Sequence, residues 1–197
     1  MKDSPLRPTA LAAAAITLLA VLYAAFSAVS GWQPGLGWLF QAVIHAGELL
    51  AVLALALSGA VGPGRAGRLG VGAAVLGQGV LAAAEVIYPR LPDLGNTLFA
   101  VGPLLTGVGL VTAGIAVLRA RRWIGRQRFL PLAVGGYVFV VLIPVLIGSG
   151  GPPAPAALWS IAAWDLLWAL LALSVLTNAQ ELSATPYRRP TPARSRP

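Results

Sequence analysis

Apolar residues run without an interrupting Lys or Arg through about 10–30, 36–61, 69–88, 95–118, 129–148 and 155–177. A helix needs about 20 such residues to cross a hydrocarbon core of roughly 30 Å, and each run is long enough. Between the runs the chain turns to helix-breaking residues: Gly31 to Gly37, Gly62 to Gly67, Tyr88-Pro89 to Gly95, the arginine-rich stretch 119–128, and Ser149 to Pro155. The pattern predicts an all-α polytopic membrane protein, a bundle of six transmembrane helices over 10–177. A tail of residues 1–9 precedes it. Residues 178–197, where Pro186, Pro190, Pro192 and Pro197 sit among arginines, read as a disordered basic tail that cannot bury a core.

Composition narrows the class further. Of 197 residues 57% are hydrophobic and only 10% charged, against roughly 25% charged in soluble domains. There is too little polar surface for a soluble enzyme, a nucleic-acid binder or a disordered protein. Zero cysteines exclude disulfides, thiolate metal sites and cysteine nucleophiles. One Lys against thirteen Arg, with abundant Ala and Gly, points to a GC-rich bacterial genome and hence to the cell (plasma) membrane.

The net charge of +8 sets orientation instead of marking a nucleic-acid surface. Cytoplasmic loops concentrate Lys and Arg, and thirteen of the fourteen cations fall in the N-terminal tail, the second loop, the fourth loop and the C-terminal tail. Only Arg90, beside Asp93, falls on the other side. Both termini are expected inside. The first run, about 20 residues long, exceeds the usual 7–15 of a signal-peptide core and is expected to stay as a span.

Ionisable groups inside the runs are costly, at about 2.5 kcal/mol or more each on insertion scales. His45 and Glu48 lie in the second run, Glu85 in the third and Asp165 in the sixth, with no intramembrane Lys or Arg to pair with them. Such acids must be protonated, bonded to one another and to His45, exposed to a watery cavity, or matched by a cation from outside the chain. Gln41, His45 and Glu48 share one helical face, Gln78 and Glu85 repeat the seven-residue interval, and Trp168 shares a face with Asp165. At about 1.5 Å per residue, His45, Glu48, Gln78 and Asp165 lie roughly 13–18 Å from the outer ends and Glu85 about 6 Å. They are expected to form one polar column opening outward, with Trp168 as a wall.

Three functions use these residues. Uncompensated acids beside tryptophan would bind or transport a small cationic or amphipathic molecule, with proton linkage; six helices are a small frame for alternating access, and a homodimer would supply the missing half. His45, Glu48, Glu85 and Asp165 would also serve as catalytic acids and bases for isomerising or cyclising a lipid or isoprenoid, since a buried acid can hold a proton while a wetter neighbour stays ionised. The third is a structural membrane subunit tied together by a polar network. A metal is the poorer fit to a chain with one histidine, and no cofactor motif is present. The glycines of the third and fourth runs are expected to bring helices close together, and Pro103 and Pro144 to kink their spans.

Overall fold

The helix ends fall where the sequence is punctuated. The computed structural model describes residues 5–184, with side chains as far as Asn178. It contains α1 (Leu6–Ser30), α2 (Gly37–Leu57), α3 (Arg65–Ile87), α4 (Pro92–Ala120), α5 (Leu130–Tyr137), α6 (Ile143–Ser149) and α7 (Pro155–Ala184). No strand occurs among the described residues. A 3₁₀ turn at Arg126–Phe129 leads into α5, and a π-helical turn at Val138–Leu142 joins α5 to α6, so 126–149 is one continuous span. Six helices are thus long and apolar enough to cross a membrane.

Local chemistry sets these limits. Gly31 takes a left-handed conformation, φ 68°, that returns its N–H to the Ser27 carbonyl and stops α1. Pro92 opens α4, where its missing N–H costs nothing, with Asp93 in the first turn and Arg119 in the last, each complementing the helix dipole. Four boundaries differ most from expectation, and two of them are helix starts: α1 begins at Leu6 instead of 10, inside the expected tail of residues 1–9, and α3 begins at Arg65 instead of 69. The second span ends at Leu57 instead of 61, because the chain turns at Ser58 and Gly59, the latter with φ 67°. The last helix continues to Ala184, past the boundary at 177; the remainder of the expected tail lies outside the described residues.

Each helix packs on its neighbour in sequence, and α7 returns to lie along α1, which closes the ring. Packing is tightest between α3 and α4. A Cβ on Gly70 would fall 2.7 Å from the Gly109 carbonyl, and one on Gly77 would fall 2.8 Å from the Gly102 carbonyl, so backbone lies on backbone along an antiparallel seam. A second seam joins α4 to α5 through Gly107, Gly114 and Gly135. Gly72 and Gly79, expected to pack as well, have no neighbour within 4 Å; they stand on the outer face of α3. Helix α4 continues unbroken through Pro103, whereas the fifth span widens into its π turn immediately before Pro144.

The bundle has two unlike ends. One carries Arg65, Arg68, Arg119, Arg121, Arg122, Arg126 and Arg128, and Arg122 there donates to the Gly59 carbonyl at 2.9 Å. The other is formed by residues 31–36, 88–91 and 150–154 and holds the exposed Trp32 and Trp159. Contact between α5–α6 and α7 is slighter than elsewhere in the ring.

Candidate functional site

Helix α2 positions the first two polar side chains. Its Gly47 is pressed by α1, where an added Cβ would come within 2.7 Å of the Ile16 Cβ. With that flank closed, the face bearing Gln41, His45 and Glu48 looks into the ring. His45 and Glu48, three residues apart, form a hydrogen bond between Nδ1 and Oε2 of 2.7 Å. Glu48 is completely buried. The second ring nitrogen of His45, Nε2, stands 3.9 Å from Oε1 of Glu85 on α3, which is too long for a hydrogen bond and short enough for a small side-chain rotation to make one. His45 therefore sits between two carboxyl groups from different helices.

Asp165 of α7 is 1% exposed and close enough to Glu48 to interact with it electrostatically. Its Oδ2, like Oε1 of Glu48, has no hydrogen-bond partner. Buried polar atoms are ordinarily satisfied, and here two acid oxygens from residues lining one cavity are not.

That cavity has a volume of about 630 Å³. Gln41, His45, Glu48, Glu85 and Asp165 all line it. Its mouth includes Gln33, Pro34, Gly150 and Gly151, so it opens at the arginine-poor end of the bundle, and Glu85, partly exposed, is nearer the mouth than the buried Glu48 and Asp165. Among the described residues no Lys or Arg lines it, and no three of His, Asp and Glu stand together as a set of metal ligands.

Two expected wall residues do not reach the cavity. Gln78 is fully buried beside His45, with neither amide atom in a well-formed hydrogen bond. Trp168 lies almost one turn beyond Asp165, away from the mouth, and packs edge-on behind Trp164 at 5.8 Å between ring centres. Depth along α7, and not the face, decided this. Trp164 lines the cavity instead, held by a bond of 3.3 Å from its Nε1 to the Val134 carbonyl on α5.

Sequence reasoning also missed Tyr23 of α1, Tyr88 at the C-terminal cap of α3 and Phe99 of α4, which face the same space. With Trp38 and Trp164 they give it an aromatic lining. The usable signal for Tyr23 was its polar tip in a helix otherwise made almost wholly of small and aliphatic residues. Pro103, also on the wall, has no N–H to offer the Phe99 carbonyl.

Chemically the arrangement can accept hydrogen bonds from a cation, face aromatic rings toward it, and pass a proton between acids through His45. Comparison of the chain with protein-family models, with curated proteins and with solved structures finds no match.

Proposed function

We propose that this is a multi-pass protein of the cell membrane, with both termini cytoplasmic, whose acidic cavity opens outward and binds or transports a small cationic or amphipathic molecule in exchange for a proton. The observation that carries the reading is the pair of buried, unpartnered acid oxygens, Glu48 Oε1 and Asp165 Oδ2, on a cavity to which no Lys or Arg contributes. The aromatic lining supports it, because ring faces attract cations. The arginine-rich end supports the orientation.

Proton linkage follows from the charges present. The ionisable side chains facing the site are His45 and Glu48 from α2, Glu85 from α3, Tyr88 from its C-terminal cap, Tyr23 from α1 and Asp165 from α7; α4, α5 and α6 add none to the lining. A cation entering among three acids that share a single imidazole displaces a proton, from a carboxyl group or from His45, so its binding strengthens as pH rises. Vesicles containing the purified protein test this. pH-dependent uptake or binding of a cationic amphiphile, lost in Asp165→Asn, is the expected result, and uptake and binding both equal to those of protein-free vesicles at every pH would defeat the reading. A C-terminal reporter found outside the cell would overturn the orientation.

The position of His45 between Glu48 and Glu85 favours a second reading, an acid/base enzyme acting on a lipid. In that case membrane extracts of cells carrying Asp165→Asn accumulate an apolar substrate, and cation uptake is absent from the native protein.

A further inference from the structure

The acids in the cavity differ in what they still need. Glu48 has given one oxygen to Nδ1 of His45, and its Oε1 is without a donor. Asp165 has an oxygen in the same condition. Both residues are at least nine-tenths buried, both line the cavity, and they lie within electrostatic reach of one another. The surrounding wall is aromatic and aliphatic, with Trp164, Phe99, Leu81 and Leu142, and the volume of about 630 Å³ falls within the range that encloses drug-sized molecules.

A cation can answer these acids in two ways. A quaternary ammonium brings charge alone, and both oxygens stay without a donor. An ammonium that still carries N–H brings charge and donors together, and a charge-assisted N–H···O bond is the stronger interaction in a dry site. Sites built around buried hydrogen-bonding groups discriminate strongly against analogues that leave those groups unpaired.

We infer that the ligand is a lipophilic amine bearing N–H groups, its ammonium donating to Glu48 Oε1 and Asp165 Oδ2 while its apolar body lies against Trp164 and Phe99. The inference rests on the cationic reading above and names the chemical class that reading leaves open. It separates the acids by role: Asp165 and Glu48 seat the ammonium, and Glu85, near the mouth and outside this pair, does not.

The test uses the full chain in nanodiscs of zwitterionic phosphatidylcholine, titrated calorimetrically with 4-phenylbutylamine, its N,N-dimethyl derivative and its N,N,N-trimethyl derivative. All three share one body and one positive charge near neutral pH, and they offer three, one and no N–H donors. Methylation adds apolar surface, so a pocket that recognised only charge and grease would bind the trimethyl compound best. The expected order is the reverse. The primary amine binds at least tenfold more tightly than the trimethyl compound, with the dimethyl compound between. Asp165→Asn weakens the primary amine tenfold or more and narrows the spread, whereas Gly72→Ala, on the open outer face of α3, leaves the order unchanged. Equal or tighter binding of the trimethyl compound, still sensitive to Asp165→Asn, overturns the N–H inference and leaves the cationic reading intact. Failure of all three to bind the native protein overturns both. The comparison among ligands needs no variant, so it stands even if a substitution impairs folding.

Discussion

Helix α3 is shared by two regions made on opposite principles. On one face Gly70 and Gly77 bring its backbone against that of α4, with nothing between the chains. A step of about 100° around the helix, Gln78 begins the face that turns inward and leads to Glu85 at the cavity. The seam is full and apolar. The cavity is open, and its acids are half satisfied. Helix association in lipid relies on close packing of small residues, while interhelical hydrogen bonds average only about 0.6 kcal/mol. The seams can therefore hold the ring together, and the ionisable groups are a poor choice for that task. On the proposed reading, that insertion cost is met by a ligand bound on a surface held open by a rigid neighbour.

The largest effect is expected at the seam. Gly70→Val would force side-chain atoms into the α4 backbone, where an added Cβ already falls 2.7 Å from the Gly109 carbonyl and the Ala113 nitrogen. Overpacking of this kind should cost about 3 kcal/mol or more and remove the folded protein from detergent extracts. Gly72→Val, two residues along on an open face, should change stability by no more than about 0.5 kcal/mol. If both variants behave alike, the seam does not carry the bundle.

In the cavity the contrast reverses. Asp165→Asn keeps the shape of a side chain whose Oδ2 has no partner, so the melting temperature should stay within a few degrees while pH-dependent cation uptake is lost. Glu48→Gln ranks next. It replaces the acceptor of the His45 bond with a neutral amide, at about 1 kcal/mol, and should lower the affinity for a cationic amphiphile less than Asp165→Asn does. Thermal unfolding and calorimetric titration of the same samples would read both quantities.

The smallest expected effect on ligand affinity comes from two tryptophans, whose costs in stability also differ. Both Trp→Phe changes lose buried packing, about 2 kcal/mol, and Trp164→Phe also loses the bond to the Val134 carbonyl, about 1 kcal/mol more. Trp168 has no acceptor for its Nε1, so Trp168→Phe surrenders packing alone. Trp168→Phe should also leave ligand affinity unchanged, since the ring lies behind the cavity wall.

Much of this arrangement was legible in the chain, for definite reasons. Span number follows from run length, and the inward face of α2 follows from the spacing of Gln41, His45 and Glu48, because helical periodicity fixes direction. The depth of Asp165 relative to Glu48 could be counted in residues. Other features depend on neighbours that no single helix specifies. Gly70 and Gly72 look alike in sequence and differ only in which one meets α4. Trp168 shares a helical face with Asp165, yet the cavity ends before reaching it. Tyr23 is drawn in because α7 folds back onto α1, a closure that hydropathy does not encode. The π turn ahead of Pro144 was likewise hidden: proline signals a disturbance but not the form it takes.

That π turn has a consequence for how the molecule breathes. The segment beyond it, α6, contains no buried residue and is followed by Gly150 and Gly151, both at φ 76°. Regions with few buried contacts open with a small fraction of the free energy that unfolds the whole. Helix α6 should therefore exchange its amide hydrogens earlier than any other part of the six spans, while the glycine-locked α3 and α4 remain protected. Leu142 and Leu146 stand at the cavity wall along this segment. Outward displacement of this lightly packed segment, with its backbone hydrogen bonds kept as hydrocarbon requires, would open a sideways entrance from the surrounding lipid, by which a greasy solute arrives without first crossing water.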